Sequence, residues 1–236
     1  MFGQKRISVS LEIIKQLTGQ NQIKYALQDL IQSTNRYRLQ EVIDTLRKVT
    51  GQTDIFQVLN VFKRVFQIDN IIVVFKRVAK LYKGDVLFFF ETFIEITGTK
   101  NIEQAANAIK TVTTKKLLVL EILEQVRQKS GHDCIIDFFR KLIEYTATQT
   151  VQEAWKLIQS LTKTKDIFEF ISKLHTFSKM PSMVLMETVI HSTNSNNFRI
   201  ALVKLNRLTE ETSFFESLKC IHDIVKCDLV PFFLHF

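Results

Sequence analysis

Glycine, proline and cysteine are all scarce in this sequence. Its 236 residues include six glycines, two prolines and three cysteines. A fold with many strands, or a glycine-rich phosphate loop, needs more turn residues than these, so neither is expected. An odd, small number of cysteines does not indicate a disulfide framework. We therefore expect a reducing intracellular compartment, either the cytoplasm or the nucleus, with the mitochondrial matrix as a further option.

Long apolar runs are also missing. The most apolar segment, Val86–Ile96, is interrupted by Glu91 and Glu95, so we expect no membrane insertion. A hydrophobic content of 46% is nevertheless that of a chain with a packed core. The sequence thus predicts a folded helical protein rather than a disordered chain.

A sixteen-residue repeat runs through the chain. Its units begin near residues 8, 24, 40, 56, 72, 87, 103, 120, 136, 152, 168, 183, 199 and 215. Position 4 of every unit is apolar, from Leu11 to Leu218, and Trp155 is one member of this column. Position 7 is apolar in every unit as well, from Ile14 to Ile221. Two apolar positions three residues apart indicate an amphipathic helix in each unit.

Helix ends can also be read from the repeat. Position 12 holds Gly19, Gly51, Gly98, Gly131, Asn35 or Asn194 in six units and Lys83, Lys163, Lys179 or Lys226 in four others. Glycine and asparagine tolerate the left-handed conformation that follows a helix C-terminus. Capping side chains follow two or three residues later: Asn21, Asp54, Asp69, Asp85, Asn101, Asp133, Thr150, Asp166, Ser182, Asn197 and Ser213.

Helices of about twelve residues joined by about four residues return antiparallel to one another. The predicted fold is therefore all-α, an α-solenoid of about fourteen short antiparallel helices with a 16-residue repeat that pairs into about 32 residues. We expect a single domain over residues 1–236, with repeats from about 8 to 228 and an apolar tail at 229–236. The residues carry no signature of tetratricopeptide, ankyrin or pentatricopeptide repeats.

Position 11 forms a column of small hydroxyl side chains. A hydroxyl there can bond the carbonyl of position 7 one turn earlier, which suits a tight, half-buried final turn. A ladder of hydroxyls for ligand recognition is the alternative, but antiparallel helices would divide it between two edges. The column consists of Thr18, Thr34, Thr50, Thr97, Thr113, Ser130, Thr146, Thr162, Ser178, Thr193 and Thr209.

Candidate residues for metal or thiol chemistry are few and poorly spaced. Cys220, His222, Cys227 and His235 gather near the C-terminus, but no two cysteines have the close spacing of a structural zinc site. No paired carboxylates stand apart from the capping residues. We therefore expect no metal, no cofactor and no enzymatic activity. A pocket for a small ligand near the phenylalanine-rich centre remains a minor alternative.

Positive charge is the most informative remaining feature, since the formal net charge is +8. Most bases lie near helix ends and most acids near helix starts, as the helix dipole favours. The exception is a basic patch from three successive helices, in which the only acids are the expected caps Asp54 and Asp69. We define this basic patch as Arg47, Lys48, Lys63, Arg64, Lys76, Arg77, Lys80 and Lys83. It could bind an acidic protein surface or a phosphate backbone.

Two groups of apolar residues lie outside the core columns and are candidate partner-binding residues. Phe88 is off the apolar stripe of its helix, and the tail holds Phe232, Phe233, Leu234 and Phe236 around Pro231, which is not expected to continue a helix. The tail either folds back over the last helix pair as a lid or docks into another subunit or partner, and docking is slightly favoured. The predicted function is a non-enzymatic scaffold that binds protein partners or forms part of a larger assembly. The alternative is a repeat protein that binds RNA or DNA through residues 47 to 83.

Overall fold

The computed structural model describes residues 9, 11, 12, 14, 15 and 18–234. The all-α prediction is confirmed, because these residues form short consecutive helices and no strand. The helices are α1 Ile23–Thr34, α2 Leu39–Thr50, α3 Ile55–Phe66, α4 Ile71–Leu81, α5 Val86–Ile96, α6 Ile102–Lys110, α7 Val119–Ser130, α8 Ile135–Thr146, α9 Val151–Thr162, α10 Ile167–His175, α11 Ser182–Ser192, α12 Phe198–Thr209, α13 Phe214–Val225 and α14 Leu229–Leu234.

The sixteen-residue repeat agrees with the observed helices. Helices α1 to α13 each occupy one predicted unit, and the described residues of the unit before α1, such as Ile14, are helical too. Position 7 is buried in every unit except the last, where Ile221 is only half-buried. The column therefore marks the core, and its exception lies in α13.

The threonine column has the structural role expected of it. In eight units the hydroxyl of position 11 donates to the carbonyl oxygen of position 7, over 2.7 to 3.0 Å. Ser130 instead bonds the carbonyl three residues back, and Thr113 lies beyond the end of α6 and accepts from the amide of Lys115. Four of the threonines also contact a hydroxyl two residues later, as Thr162 does with Thr164 at 2.8 Å.

Most helices end in a left-handed residue at position 12. The six glycines and asparagines predicted there have positive φ, and so do Lys163 and Lys226. The prediction is wrong for Lys83 and Lys179, because α4 ends in extended backbone at Tyr82 and α10 ends at Thr176 in right-handed geometry. Left-handed Gln67, Ala147 and Glu210 were not predicted, since their side chains do not favour this conformation.

Seven of the predicted caps accept a hydrogen bond from a first-turn amide: Asp54, Asp85, Asn101, Thr150, Asp166, Asn197 and Ser213. The other four need correction. Asn70 rather than Asp69 caps α4, while α1, α8 and α11 follow Gln22, Cys134 and Pro181 and have no side-chain cap. In the Thr150 capping box, the Glu153 carboxylate accepts from the amide of Gln149 rather than from that of Thr150.

The described residues divide into two compact units. The first contains the described residues up to Asn107 together with Leu118–Glu121, and the second contains Ala108–Leu117 and Ile122 onward. In the first unit α2 packs on α3, α3 on α4 and α4 on α5, while α4 also covers α1 and α5 covers α2. In the second unit α8 packs on α9 and α12 on α13, while α11 covers α8 and α14 covers α11. Helices α1, α2, α8 and α11 are thus each covered by the helix three places later.

Polar contacts also link several helix ends to the helix start four places later. The carbonyl of Ser130 at the end of α7 accepts from the hydroxyl of Ser182 in α11, at 3.4 Å. The carbonyl of Val112, after α6, likewise accepts from the backbone amide of Ile167 in α10, at 3.0 Å. In the first unit, the side-chain amide of Asn70 before α4 donates to the carbonyl of Thr18 at 2.8 Å. These contacts join segments more than fifty residues apart in the chain.

The C-terminal tail differs from the prediction. Residues 229–234 form α14, and Pro231 lies in its first turn, where a helix does not need the missing N–H. Leu229, Val230 and Phe233 are buried where α14 packs on α11. The tail therefore folds back on its own chain.

Candidate functional site

The main candidate site is an open apolar groove at the C-terminal end of the second unit. Its walls come from α12, α13 and α14, and its volume is about 310 Å³. Hydroxyl side chains from the end of α11 form a small polar margin. The lining residues are Ser192, Thr193, Leu205, Leu208, Ile221, Ile224, Val225, Phe232 and Phe233. We call this surface the C-terminal groove.

Leu208 and Ile224 of the C-terminal groove are exposed although their repeat position is normally buried. Both occupy position 10 and are 78% and 75% exposed. At the same position, Val49 and Leu81 are 1% exposed and Val112 is fully buried. Position 10 is also buried at Val65, Ile96 and Tyr145. It is only half-buried at Leu161 and Phe177, and it holds the polar residues Ser33, Lys129 and Ser192, so it is not a continuous apolar column.

The exposed apolar area is local to one end of α12 and α13. Leu208 and Ile224 are exposed beside the half-buried side chains of Ile221, Val225 and Phe232. An exposed apolar patch of this kind usually marks an interaction site.

A polar cluster lies between α8 and α11. The Lys141 ammonium is 3.2 Å from the Glu187 carboxylate, which also hydrogen-bonds the Tyr145 phenol. Burial acts to raise the pKa of Glu187, but the bonds from Tyr145 and Lys141 outweigh it and leave that pKa below its usual value. Burial and the Glu187 charge raise the pKa of Tyr145 far above its ordinary value. Tyr145 is thus a neutral donor that ties the two helices together.

A second depression is lined both by Glu187 of this cluster and by Phe233 and Leu234 of the tail. It is lined by Val184, Glu187, Thr188, His191, Ser192, Asn194, Phe233 and Leu234. Glu187 therefore lies at the edge of the surface that surrounds α14.

Acidic side chains accompany much of the basic patch. Lys48 pairs with Glu91 at 2.6 Å, Lys63 with Asp69 at 2.5 Å, and Arg64 with Glu103 at 2.8 Å. Arg47 is 3.6 Å from Asp44, and Lys76 is 3.8 Å from Asp29. Arg77 and Lys83 also have polar or charged contacts of their own. Four of these acids, Asp29, Asp44, Glu91 and Glu103, lie outside the 47 to 83 segment. Only Asp44, three residues before Arg47 on the same helix, could have been assigned to the patch from sequence.

Lys63 and Arg64 remain the most prominent members of the basic patch. With Asn60, Gln67 and Asp69 they line a polar depression at the end of α3. Both side chains are more than half exposed, so their ion pairs are of the solvent-screened kind that contributes little free energy. They are therefore available to an anion.

The predicted partner-binding residues fall into different environments. Phe88 is 47% exposed on α5, consistent with its position off the apolar stripe. Leu234 is exposed, and Phe232 is half-buried in the C-terminal groove. Phe233 is buried where α14 packs on α11, so it is a structural residue. Phe236 lies outside the described residues. The phenylalanines near the centre, including Phe62, Phe75 and Phe90, are fully buried and pack edge to face or tilted against one another.

Metal or nucleophile chemistry finds no support in the described residues. No group of three His, Cys, Asp or Glu side chains there could hold a metal ion. Cys134 is buried, and burial raises the pKa of its thiol, which disfavours the reactive thiolate. Cys220 and Cys227 are free thiols, and His235 is not described.

No helix within the described ranges has the length and apolar content to cross a bilayer. Comparison of the chain with protein-family models, with curated proteins and with solved structures found no match. The C-terminal groove and the basic patch are therefore interpreted from their own geometry.

Proposed function

We propose that this protein is a non-enzymatic helical-repeat scaffold that binds a protein partner, or is a subunit of a larger assembly, in a reducing intracellular compartment. The observation that carries the proposal is the exposure of Leu208 and Ile224 in an apolar groove, at a position that is buried in several earlier units, as at Val49, Leu81 and Val112. A surface with core composition is suited to a macromolecular partner, because covering it removes apolar area from water.

The test compares what the tagged full chain retains on purification from its native source. The variant Leu208→Glu/Ile224→Glu places two charges in the C-terminal groove, where any apolar partner would have to bury them. We expect this variant to lose the partners that the wild type retains. Tyr37→Glu is the matched control, because Tyr37 is exposed and lies in the first unit. Equal retention by all three proteins would overturn the proposal.

Phe88 supplies a second possible contact surface for the same function. It is exposed on α5 next to the cap Asp85, which also forms an ion pair with Arg36. Phe88→Glu in the same purification separates a partner bound at α5 from one bound at the C-terminal groove.

Nucleic-acid binding is the second candidate function. The observation that favours it is the polar depression of Lys63, Arg64, Asn60 and Gln67, whose side chains can all donate hydrogen bonds to phosphate. Retardation of RNA or DNA with a steep salt dependence, abolished by Lys63→Glu/Arg64→Glu, would establish this function. Unchanged mobility of both nucleic acids at 50 mM salt would exclude it.

A further inference from the structure

We propose that the outer face of α3 and α4 binds single-stranded nucleic acid and stacks one unpaired base on Phe56. The bases that hold its phosphates are Lys63, Arg64, Lys76 and Lys80. This inference rests on the nucleic-acid function given above as the second candidate, and it names the form of nucleic acid that is bound. Proteins that bind single strands combine a basic surface along the backbone with aromatic rings on which bases stack.

The charge of α3 and α4 sets these two helices apart. Residues 55–66 and 71–81 contain five bases and no acid. Among the described helices, only α12 also carries bases without an acid, so α3 and α4 are the only such helices in succession. The helix dipole favours bases in a last turn, but it equally favours acids in a first turn, and neither helix has one there. The dipole therefore does not account for the excess of positive charge.

A row of exposed side chains follows α3 and its end. Phe56, Asn60, Lys63 and Gln67 are spaced four, three and four residues apart, which places them on one side of the helix, with Arg64 next to Lys63. All five are exposed, and Phe56 is 41% exposed. At a rise of about 1.5 Å per residue, the row is about 16 Å long. It offers donors to several phosphates and an aromatic ring to one base.

Helix α4 widens this basic surface, since it packs on α3. Lys76 and Lys80 are one turn apart on α4, and both are exposed. The Lys76 ammonium is 3.8 Å from the Asp29 carboxylate, whereas Lys80 forms no ion pair with the described residues. Lys80 is therefore a cation that an incoming phosphate can bind without displacing a carboxylate.

The acids beside this face come from other segments and compete with a phosphate. Asp69 pairs with Lys63 at 2.5 Å, and Glu103 pairs with Arg64 at 2.8 Å. Both pairs are well exposed, so water screens their attraction. A nucleic-acid backbone can displace these carboxylates, because each of its phosphate contacts also releases counterions. Removal of one carboxylate should then strengthen binding.

Phe56 makes the face selective for a single strand. In a duplex the bases are stacked on one another, and a surface aromatic ring finds no free base face. The bases of a single strand can be splayed out and stacked on an aromatic side chain. The phosphates alone would bind either form, so the preference for a single strand depends on this ring.

The test follows the fluorescence anisotropy of three labelled probes with the full chain at low salt. The probes are oligouridylate and oligothymidylate, each of about twenty nucleotides, and a duplex of the same length. The first two separate RNA from DNA as the source of the single strand. We expect at least one single strand to bind at least fivefold more tightly than the duplex, with a steep salt dependence.

Variants of Phe56 test the stacked base. Phe56→Ala should weaken single-strand binding by at least about fivefold, and Phe56→Tyr should retain it, because a tyrosine ring also stacks. Tyr37→Ala is the matched control, since Tyr37 is an exposed aromatic residue of the same unit on the connection between α1 and α2. Circular dichroism confirms that the variants fold.

Variants of the charged residues test the phosphate contacts. Lys80→Ala should lower the slope of log affinity against log salt by about 0.7, the share of one contact to a single strand. Lys156→Ala should leave the slope unchanged, because Lys156 is an exposed base on α9 in the second unit. Asp69→Asn frees Lys63 and should tighten binding by at least about twofold.

Equal binding of single strands and duplex, or unchanged single-strand binding by Phe56→Ala, would overturn this inference. If Lys63→Glu/Arg64→Glu still abolishes that binding, the nucleic-acid function stands without it. No binding of any of the three probes would overturn both. Loss of an acidic protein when Lys63→Glu/Arg64→Glu is purified from the native source would then assign the face to that protein.

Discussion

The amide of Leu229 donates a hydrogen bond to the carbonyl oxygen of Phe177 over 3.0 Å, across 52 residues of sequence. Beside it, the Asp228 carboxylate accepts from the amide of Lys179 at 2.8 Å. Burial acts to raise the pKa of Asp228, but bonds from the amides of Lys179 and Val230 leave it below its usual value. The start of α14 is thus fixed to the connection between α10 and α11.

This attachment makes α14 part of the folded unit, and a pair of neighbouring substitutions tests it. Phe233→Ala should lower the free energy of unfolding by about 3 kcal/mol, because a buried phenylalanine is lost. Leu234→Ala, one residue later and largely exposed, should change it by less than about 0.5 kcal/mol. Urea titration measures both. Equal effects of the two substitutions would show that the tail is not packed in solution.

Trp155 provides a test of the second unit's core. It occupies position 4 of α9, is 2% exposed, and contacts the ring of Phe170 edge to face with centroids 6.3 Å apart. Trp155→Ala should therefore cost about 3 to 5 kcal/mol of unfolding free energy. Thermal and urea unfolding measure the loss. A cost below about 1 kcal/mol would place the indole ring on the surface.

Thr146 and Thr45 form the same kind of hydroxyl bond in different environments. Thr146 is buried, and its hydroxyl donates to the carbonyl of Leu142 at 2.7 Å. Thr45 is half-buried, and its hydroxyl donates to the carbonyl of Glu41 at 2.9 Å. Valine keeps the β-branched shape and removes the hydroxyl. Thr146→Val should cost about 1 kcal/mol, because the buried bond is lost without compensation from water.

Thr45→Val is the matched control for this hydroxyl, and it should cost only a few tenths of a kcal/mol because water replaces the bond. Thr146→Ser should retain most of the stability that Thr146→Val loses. If Thr146→Val were as stable as the wild type, the threonine column would have another role.

His132 predicts a pH dependence of stability. Burial, aided by the nearby Lys141 cation, lowers the pKa of His132 despite the opposing carboxylates of Asp137 and Asp133. In the unfolded chain, His132 has an ordinary histidine pKa of about 6.5. Below that pH, the unfolded chain therefore binds a proton on His132 more readily than the folded chain does. Stability should therefore fall as the pH decreases through about 6.5, until the folded-state pKa is passed.

The measurement compares urea midpoints of wild type and His132→Gln at pH 7.5 and pH 5.5. We expect the wild type to lose more stability than the variant between these two values. The same loss in both proteins would assign the pH dependence to other groups.

The helices and their internal bonds could be predicted because they depend on neighbours in sequence. Position 7 and the threonines at position 11 lie on the same helix, one turn apart, so the spacing alone predicts the bond between Leu142 and Thr146. The observed cap Asn70 lies one residue after the predicted Asp69, whereas the N-cap residues of α1, α8 and α11 lie one residue from the predicted caps and form no side-chain cap.

The candidate site could be predicted only in part, because it depends on which helix covers which. The apolar residues at position 10, such as Val49, Leu81 and Leu208, were available in the sequence as a signal, although Ser33, Lys129 and Ser192 interrupt them. Nothing in the local pattern shows that α14 covers α11 while α12 and α13 stay open. The partners of Lys48 and Arg64 were missed for the same reason, since Glu91 and Glu103 lie about forty residues away in sequence.

The contact between Ser130 and Ser182 limits how the length of this chain can change. Three complete helices, α8 to α10, lie between these two residues, and the same offset of four helices joins Val112 to Ile167 and Phe177 to Leu229. Insertion of a further helix between Ser130 and Ser182 would change this offset and break the contact, so an added repeat is accommodated more easily at an end of the array.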